Sequence, residues 1–183
     1  MTQFIQTHIS SVIGITTLLS HVFLIVLVIG IATHTKLRAH IYRFVHKRIL
    51  LLIFLEALFA LIGSLAYSQI VGFPPCELCW IQRIFIYPQV VIALIAMTKK
   101  DKGIVDYLLP MSIIGGLVAL YQSLIQWGVA AVSVAGCTSV GGECAKVYVS
   151  QFGYITIPFM SFTIFVYSIG VMLVYYQAKK VHG

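Results

Sequence analysis

Charge is what this chain has least of. Only 9% of its 183 residues are Asp, Glu, Lys or Arg, against 60% hydrophobic, where soluble domains carry about 25% charged. That scarcity excludes a water-soluble globule, which would have too little polar surface to cover itself, and leaves the bilayer as the natural solvent. Acidic residues are scarcer still, five against twelve Lys and Arg, for a formal net charge of +7. A basic surplus serves nucleic acid or anionic lipid. Here the basic residues sit between long apolar runs, and no basic patch interleaved with aromatics occurs. The partner is therefore lipid, and no nucleic acid is expected. Period-two alternation is missing from the apolar runs, which excludes barrel strands and leaves helices as the spanning form. Residues 1–7 contain no Lys or Arg, so the charged start of a cleavable signal peptide is missing and the first run reads as an uncleaved helix. Cysteine is absent from every apolar run, and the six His lie away from the cysteines with no metal-ligand spacing. No metal site is expected.

A spanning helix needs about 20 mostly apolar residues. Five segments qualify, at about 8–33, 49–71, 80–98, 104–127 and 155–177, which predicts an all-α polytopic membrane protein. The first is the weakest, because its stretch from Ile9 to Ser20 carries five Ser and Thr. Ten of the twelve Lys and Arg fall in the 34–48 connection, the 99–103 connection and the C-terminus. With five alternating helices these three regions share one side, which the excess of basic residues makes cytoplasmic. The N-terminus and the 72–79 and 128–154 connections then lie outside.

All four cysteines fall in those two outer connections: Cys76 and Cys79 in the first, Cys137 and Cys144 in the second. The outer side is where disulfides persist, and an even number, close in pairs, reads as two disulfides. Cys76-Glu77-Leu78-Cys79 opens the third span behind Pro75, a residue suited to a helix entry. The partial positive charge of a helix N-terminus stabilises a thiolate there. The loop closed by such a pair is too short to remove much chain entropy, so it reads as a redox element rather than a staple. Cys137 and Cys144 enclose Thr138-Ser139-Val140-Gly141-Gly142-Glu143. Two glycines let the chain fold back so that the sulfurs meet, in a small polar segment open to attack by a partner's thiolate. Two structural staples, or a four-cysteine zinc site, are the competing readings. Zinc is disfavoured because the second pair has six intervening residues, not two.

Arg83 lies one turn deeper than Cys79. An ionisable residue inside a span is a functional hypothesis by default. Here it can stabilise a thiolate or donate to a quinone carbonyl; snorkelling to the interface is the plainer role. Glu56, within the second span, is read as protonated or locally hydrogen-bonded, with no role assigned. Pro88 is expected to kink the third span below Arg83 and widen a pocket. Trp80, Phe85, Tyr87, Tyr121 and Trp127 are candidates to line it, although an interfacial aromatic belt accounts for most of them as well.

The run Pro75-Cys76-Glu77-Leu78-Cys79-Trp80-Ile81-Gln82-Arg83 resembles the signature of the DsbB family of quinone-dependent disulfide-forming membrane proteins, most nearly its BdbC-type members with a short second loop. Ile84-Phe85-Ile86-Tyr87-Pro88, Leu109-Pro110-Met111 and Phe152 to Phe159 continue the likeness, which covers about residues 50–175. The resemblance implies a four-helix redox bundle over 49–183, preceded at 1–48 by an additional helix and a basic cytoplasmic loop. It implies that Cys137 and Cys144 oxidise an extracytoplasmic thioredoxin-like partner of the DsbA or BdbD kind. Cys76 and Cys79 then pass the electrons to a membrane quinone, ubiquinone or menaquinone, beside Arg83, in the bacterial cell membrane. Two departures stand out: the extra helix, and Gln122 where many BdbC-type relatives carry His.

Three rival functions share parts of this pattern. A vitamin K epoxide reductase-like enzyme usually places its CxxC after the loop pair, whereas here it comes before. A stapled scaffold would keep its cysteines oxidised under mild reductant. A thiol transporter sending electrons outward would need cysteines within the spans.

Overall fold

The computed structural model describes residues 2–130 and 144–182, with the side chains of 2–6 and 182 outside that description. Five long helices follow one another: α1 (Thr2–Thr33), α2 (Thr35–Leu65), α3 (Glu77–Lys99), α4 (Val105–Gln126) and α5 (Ile157–His182). All five are long and apolar enough to cross a membrane, as the apolar runs require. The chain is a multi-pass, all-α membrane protein.

The 34–48 connection differs from expectation. It is helix, and the expected boundary at 48 falls inside α2. Only His34, in extended geometry, separates α1 from α2. The segment 35–48 has no Pro or Gly, and Leu37, Ile41 and Val45 recur at helical spacing. Hydropathy marks where a helix enters lipid, not where it begins. The helix continues past Leu65 as a π-helical turn, Ala66–Ile70, in which the Val71 N–H donates to the Ala66 carbonyl. Gly72, at φ 81, then breaks the helical run, and Pro74-Pro75 cannot resume it. At the other end of α3, Lys100 caps the helix at φ 55. Asp101 accepts from the Gly103 N–H to start the next turn. Lys102 Nζ reaches the His46 carbonyl at 2.8 Å, tying the α3–α4 connection to α2.

Helices α2, α3, α4 and α5 pack in a ring, each on its neighbours, while α1 touches α2 and α5 lightly from outside. At the basic end the ring closes on an apolar core of Val45, Ile49, Ile53, Ala93, Val105, Leu108, Met172 and Tyr175. Midway, α4 and α5 approach so closely that a Cβ on Gly115 would lie 2.3 Å from Phe165 Cζ. Small residues at a helix interface are how membrane helices reach such contact. Large side chains on the other faces, Ile84, Val91 and Leu117 among them, are exposed, as lipid-facing surface must be.

Candidate active site

Cysteine chemistry gathers at the opposite end. Cys76 is the residue before α3, with extended backbone (φ −73, ψ 172), and Glu77 occupies the first turn, where an acid complements the helix dipole. One turn of helix carries Cys79 back under Cys76, and the two sulfurs stand 3.0 Å apart as a hydrogen-bonded dithiol. From α4, Gln122 Nε2 donates to Cys76 Sγ at 3.0 Å and approaches Cys79 Sγ at 3.4 Å. Gln122 is oriented in turn by Gln82, whose Nε2 donates to Gln122 Oε1 at 2.6 Å. Both amides are buried, Gln122 to 1% exposure. The pair thus fixes which end of Gln122 faces the sulfurs. The Cys76 thiol is pushed up in pKa, first by its hydrogen bond with Cys79 and then by burial.

Cys144 is disulfide-bonded. Its expected mate, Cys137, lies outside the described residues. Cys144 differs from the open position expected of the loop pair: it is 1% exposed and packs in one apolar cluster with Cys76, Leu78 and Ile125. The fold therefore brings Cys144 to the membrane-edge pair. A disulfide sulfur is not a thiolate ligand, which argues against a four-cysteine zinc site.

Below the dithiol opens a cavity of about 460 Å³, within the range of small-molecule sites. Cys76 and, from α3, Cys79, Gln82, Arg83 and Ile86 form one wall. The others come from the end of α2 (Phe59 to Ser68), from α5 (Ile157 to Tyr167), from Gln122 and Gln126 of α4, and from α1. Arg83 is half-buried in this wall. Its Nη2 donates to the Ser64 carbonyl at 3.3 Å, and its guanidinium carbon lies 5.1 Å from the centroid of the Trp80 ring. Tyr87 holds the same Ser64 through its hydroxyl, at 3.0 Å. Arg83 is thus aimed and partly paired, with donors remaining on the cavity side of α3.

None of Trp80, Phe85, Tyr87, Tyr121 and Trp127 lines the cavity; its aromatic lining is Phe59, Tyr67, Phe73, Tyr148 and Tyr167. Trp80 is 54% exposed, as a belt residue is. Glu56 stays apart from the cavity, with Oε1 buried and unpartnered between helices. Sequence reasoning missed the Gln82–Gln122 pair as a unit. It also missed the contribution of α1.

Comparison with known proteins agrees with this geometry. Residues 46–175 match the family model described as "Disulfide bond formation protein DsbB". A "Probable disulfide formation protein" of Oceanobacillus iheyensis is 45% identical over 118 residues, covering 63% of this chain and 79% of that one. The "Disulfide bond formation protein C" of Bacillus subtilis is 43% identical over 110 residues, 60% of this chain and 79% of that one. The "SPbeta prophage-derived disulfide bond formation protein B" of the same species is 40% identical over 136 residues, 73% and 90% respectively. No solved structure matches significantly. A dithiol at a helix start, a disulfide packed beside it and a match running from within α2 into α5 lead to one assignment: the chain belongs to the DsbB family, as a multi-pass membrane oxidoreductase of disulfide bond formation.

Proposed function

We propose that this protein reoxidises an extracytoplasmic thioredoxin-like dithiol protein and passes the electrons to a membrane quinone, with the cysteine end facing out of the bacterial cell. The observation that carries the reading is the position of the Cys76–Cys79 dithiol, on the wall of a largely apolar cavity shared with Arg83. A water-soluble acceptor would have no use for such a cavity, whereas a lipid-soluble ring suits it. The donor set fits as well, because a quinone's oxygens only accept hydrogen bonds in the oxidised form, and Arg83 only donates.

The chain's own residues divide the work. The partner's thiolate attacks Cys137, and its second thiol resolves the mixed disulfide, leaving Cys137 and Cys144 reduced. One of these attacks Cys76, breaking the Cys76–Cys79 disulfide and releasing Cys79 as a thiolate. Resolution by the remaining loop thiol restores the loop disulfide and leaves Cys76 and Cys79 as a dithiol. The burial of Cys144 against Cys76 supports Cys144 as the inner member and Cys137 as the one that meets the partner. Gln122 holds both sulfurs in register, and Arg83 orients the acceptor and balances developing negative charge. A bound quinone supplies the two-electron oxidising capacity. Two electrons and two protons leave the dithiol, and the Cys76–Cys79 bond closes again.

The test is direct. Purified protein in nanodiscs is mixed with a ubiquinone or menaquinone analogue and a reduced thioredoxin-like protein, and quinone absorbance is followed. Absorbance should fall in proportion to partner disulfide formed, and Cys76→Ser or Cys79→Ser should abolish the change. Partner oxidation without quinone consumption would sink the reading.

A further inference from the structure

The Ser- and Thr-rich half of α1 weakens that helix as a span, and the four-helix ring does not need it. The family match begins at residue 46, so α1 lies outside it. Yet Ile13, Thr16, Thr17 and Ser20 all line the cavity. Helices α2 and α5 pack on each other at the basic end through residues such as Ile49, Ile53 and Met172. At the cysteine end they meet again where the Tyr67 hydroxyl reaches Met160 Sδ, and there residues of α1, α2 and α5 line the one cavity.

We propose that the outer half of α1 is the lateral wall of the acceptor site, closing it towards lipid and setting which ring sizes enter. This rests on the quinone reading above. Three features carry it. First, polar contacts tie α1 to α5 at this level. His21 Nε2 lies 2.9 Å from Thr163 Oγ1. Thr163 already donates to the Phe159 carbonyl, so it accepts from Nε2, leaving Nδ1 to accept from the Tyr154 hydroxyl at 3.4 Å. The Tyr167 hydroxyl donates to the Ser20 carbonyl. Secondly, the stretch of α1 beyond His21 is little covered: Phe23, Ile25, Val26, Val28 and Ile29 are all more than half exposed. Its apolar packing, through Ile9, Ile13 and Leu18, is at the cysteine end, where the cavity lies. Thirdly, the wall is chemically one-sided. Thr16, Thr17 and Ser20 spend their hydroxyl protons on the Val12, Ile13 and Thr17 carbonyls. On the wall of the same cavity as Arg83, they offer oxygen lone pairs and no free donor. Such a surface suits the hydroxyl that a quinone ring gains on reduction.

The full-length chain in nanodiscs, illuminated with a photoreactive azido-quinone analogue and mapped by mass spectrometry, tests this. Label should appear on peptides covering 13–20 as well as 79–83, and excess unmodified quinone should suppress both. Label on 79–83 with none on α1 overturns the wall and leaves the proposed function standing. Suppressible label on neither removes the quinone reading and the wall with it. Quinone affinity, read by quenching of tryptophan fluorescence, is the second measure. Thr17→Phe places a ring in the cavity and should weaken binding roughly tenfold or more. Val26→Phe, on the exposed part of α1 outside the cavity lining, should stay within about threefold and shows that added bulk on α1 does not by itself weaken binding. Equal affinity of the Thr17→Phe variant and the parent overturns the proposal.

Discussion

Arg83 and Gln122 separate two ways in which single residues serve one dithiol. Replacing Arg83 with Met keeps the stem and removes every donor. The Ser64 carbonyl keeps its hydrogen bond from Ser68, so the fold should survive. A charge-assisted hydrogen bond contributes about 1.5–3 kcal/mol, and the quinone KM should rise about 10- to 150-fold, with Lys restoring only part because it lacks the planar fork. Steady-state kinetics with varied quinone would show it; an unchanged KM would reduce Arg83 to an interface anchor. Gln122→Leu is of another kind. It strips both sulfurs of their amide donor and strands Gln82 in the core, at a cost of about 1–3 kcal/mol. Removing both amides, as in Gln82→Leu with Gln122→Leu, should recover most of the lost thermal stability while the rate of Cys76–Cys79 reoxidation stays low. If stability and rate recover together, the amide pair is structural only. The cysteines and Arg83 were legible because their residue types are costly or reactive where they stand. The amide pair was not, since two Gln forty positions apart carry no signal until α3 and α4 are side by side.

Helix boundaries and contacts divide in the same way. The existence of five helices follows from the apolar runs alone, because lipid admits no other form for them. The start of α2 at Thr35 did not follow, because its first turns are charged yet helical. Nor was the π-helical turn at Ala66–Ile70 visible, though it places Tyr67 and Ser68 in the cavity wall; π-helical turns are often found at functional sites. The α4–α5 contact offers a check on the ring. Gly115→Ala puts a methyl against Phe165, and overpacking of this sort costs about 1–3 kcal/mol. A lowered thermal midpoint is expected, with Phe165→Leu restoring much of it. A midpoint unmoved by Gly115→Ala would mean that the two helices are further apart than described.

For the whole molecule, the division of basic residues sets the expected topology. A Cys placed at Gln3 should react with an impermeant maleimide added to intact cells, and one placed at Lys100 should not. Protection of the Gln3 site would mean that α1 does not cross. Redox groups and cavity occupy one end of the bundle, and the cavity reaches no deeper than residues such as Phe59, Ile86 and Tyr167, short of the apolar core at the basic end. On the proposed path, electrons would enter and leave on one side of the membrane, and the protons released by the thiols would leave with them. Moving a unit charge across the full bilayer would involve about 2.3 kcal/mol per 100 mV. On that path no charge makes the crossing, so turnover in proteoliposomes should be the same with and without an imposed potassium diffusion potential. A cell using it would go on oxidising thiols when its membrane is depolarised, for as long as oxidised acceptor reached the leaflet on the cysteine side.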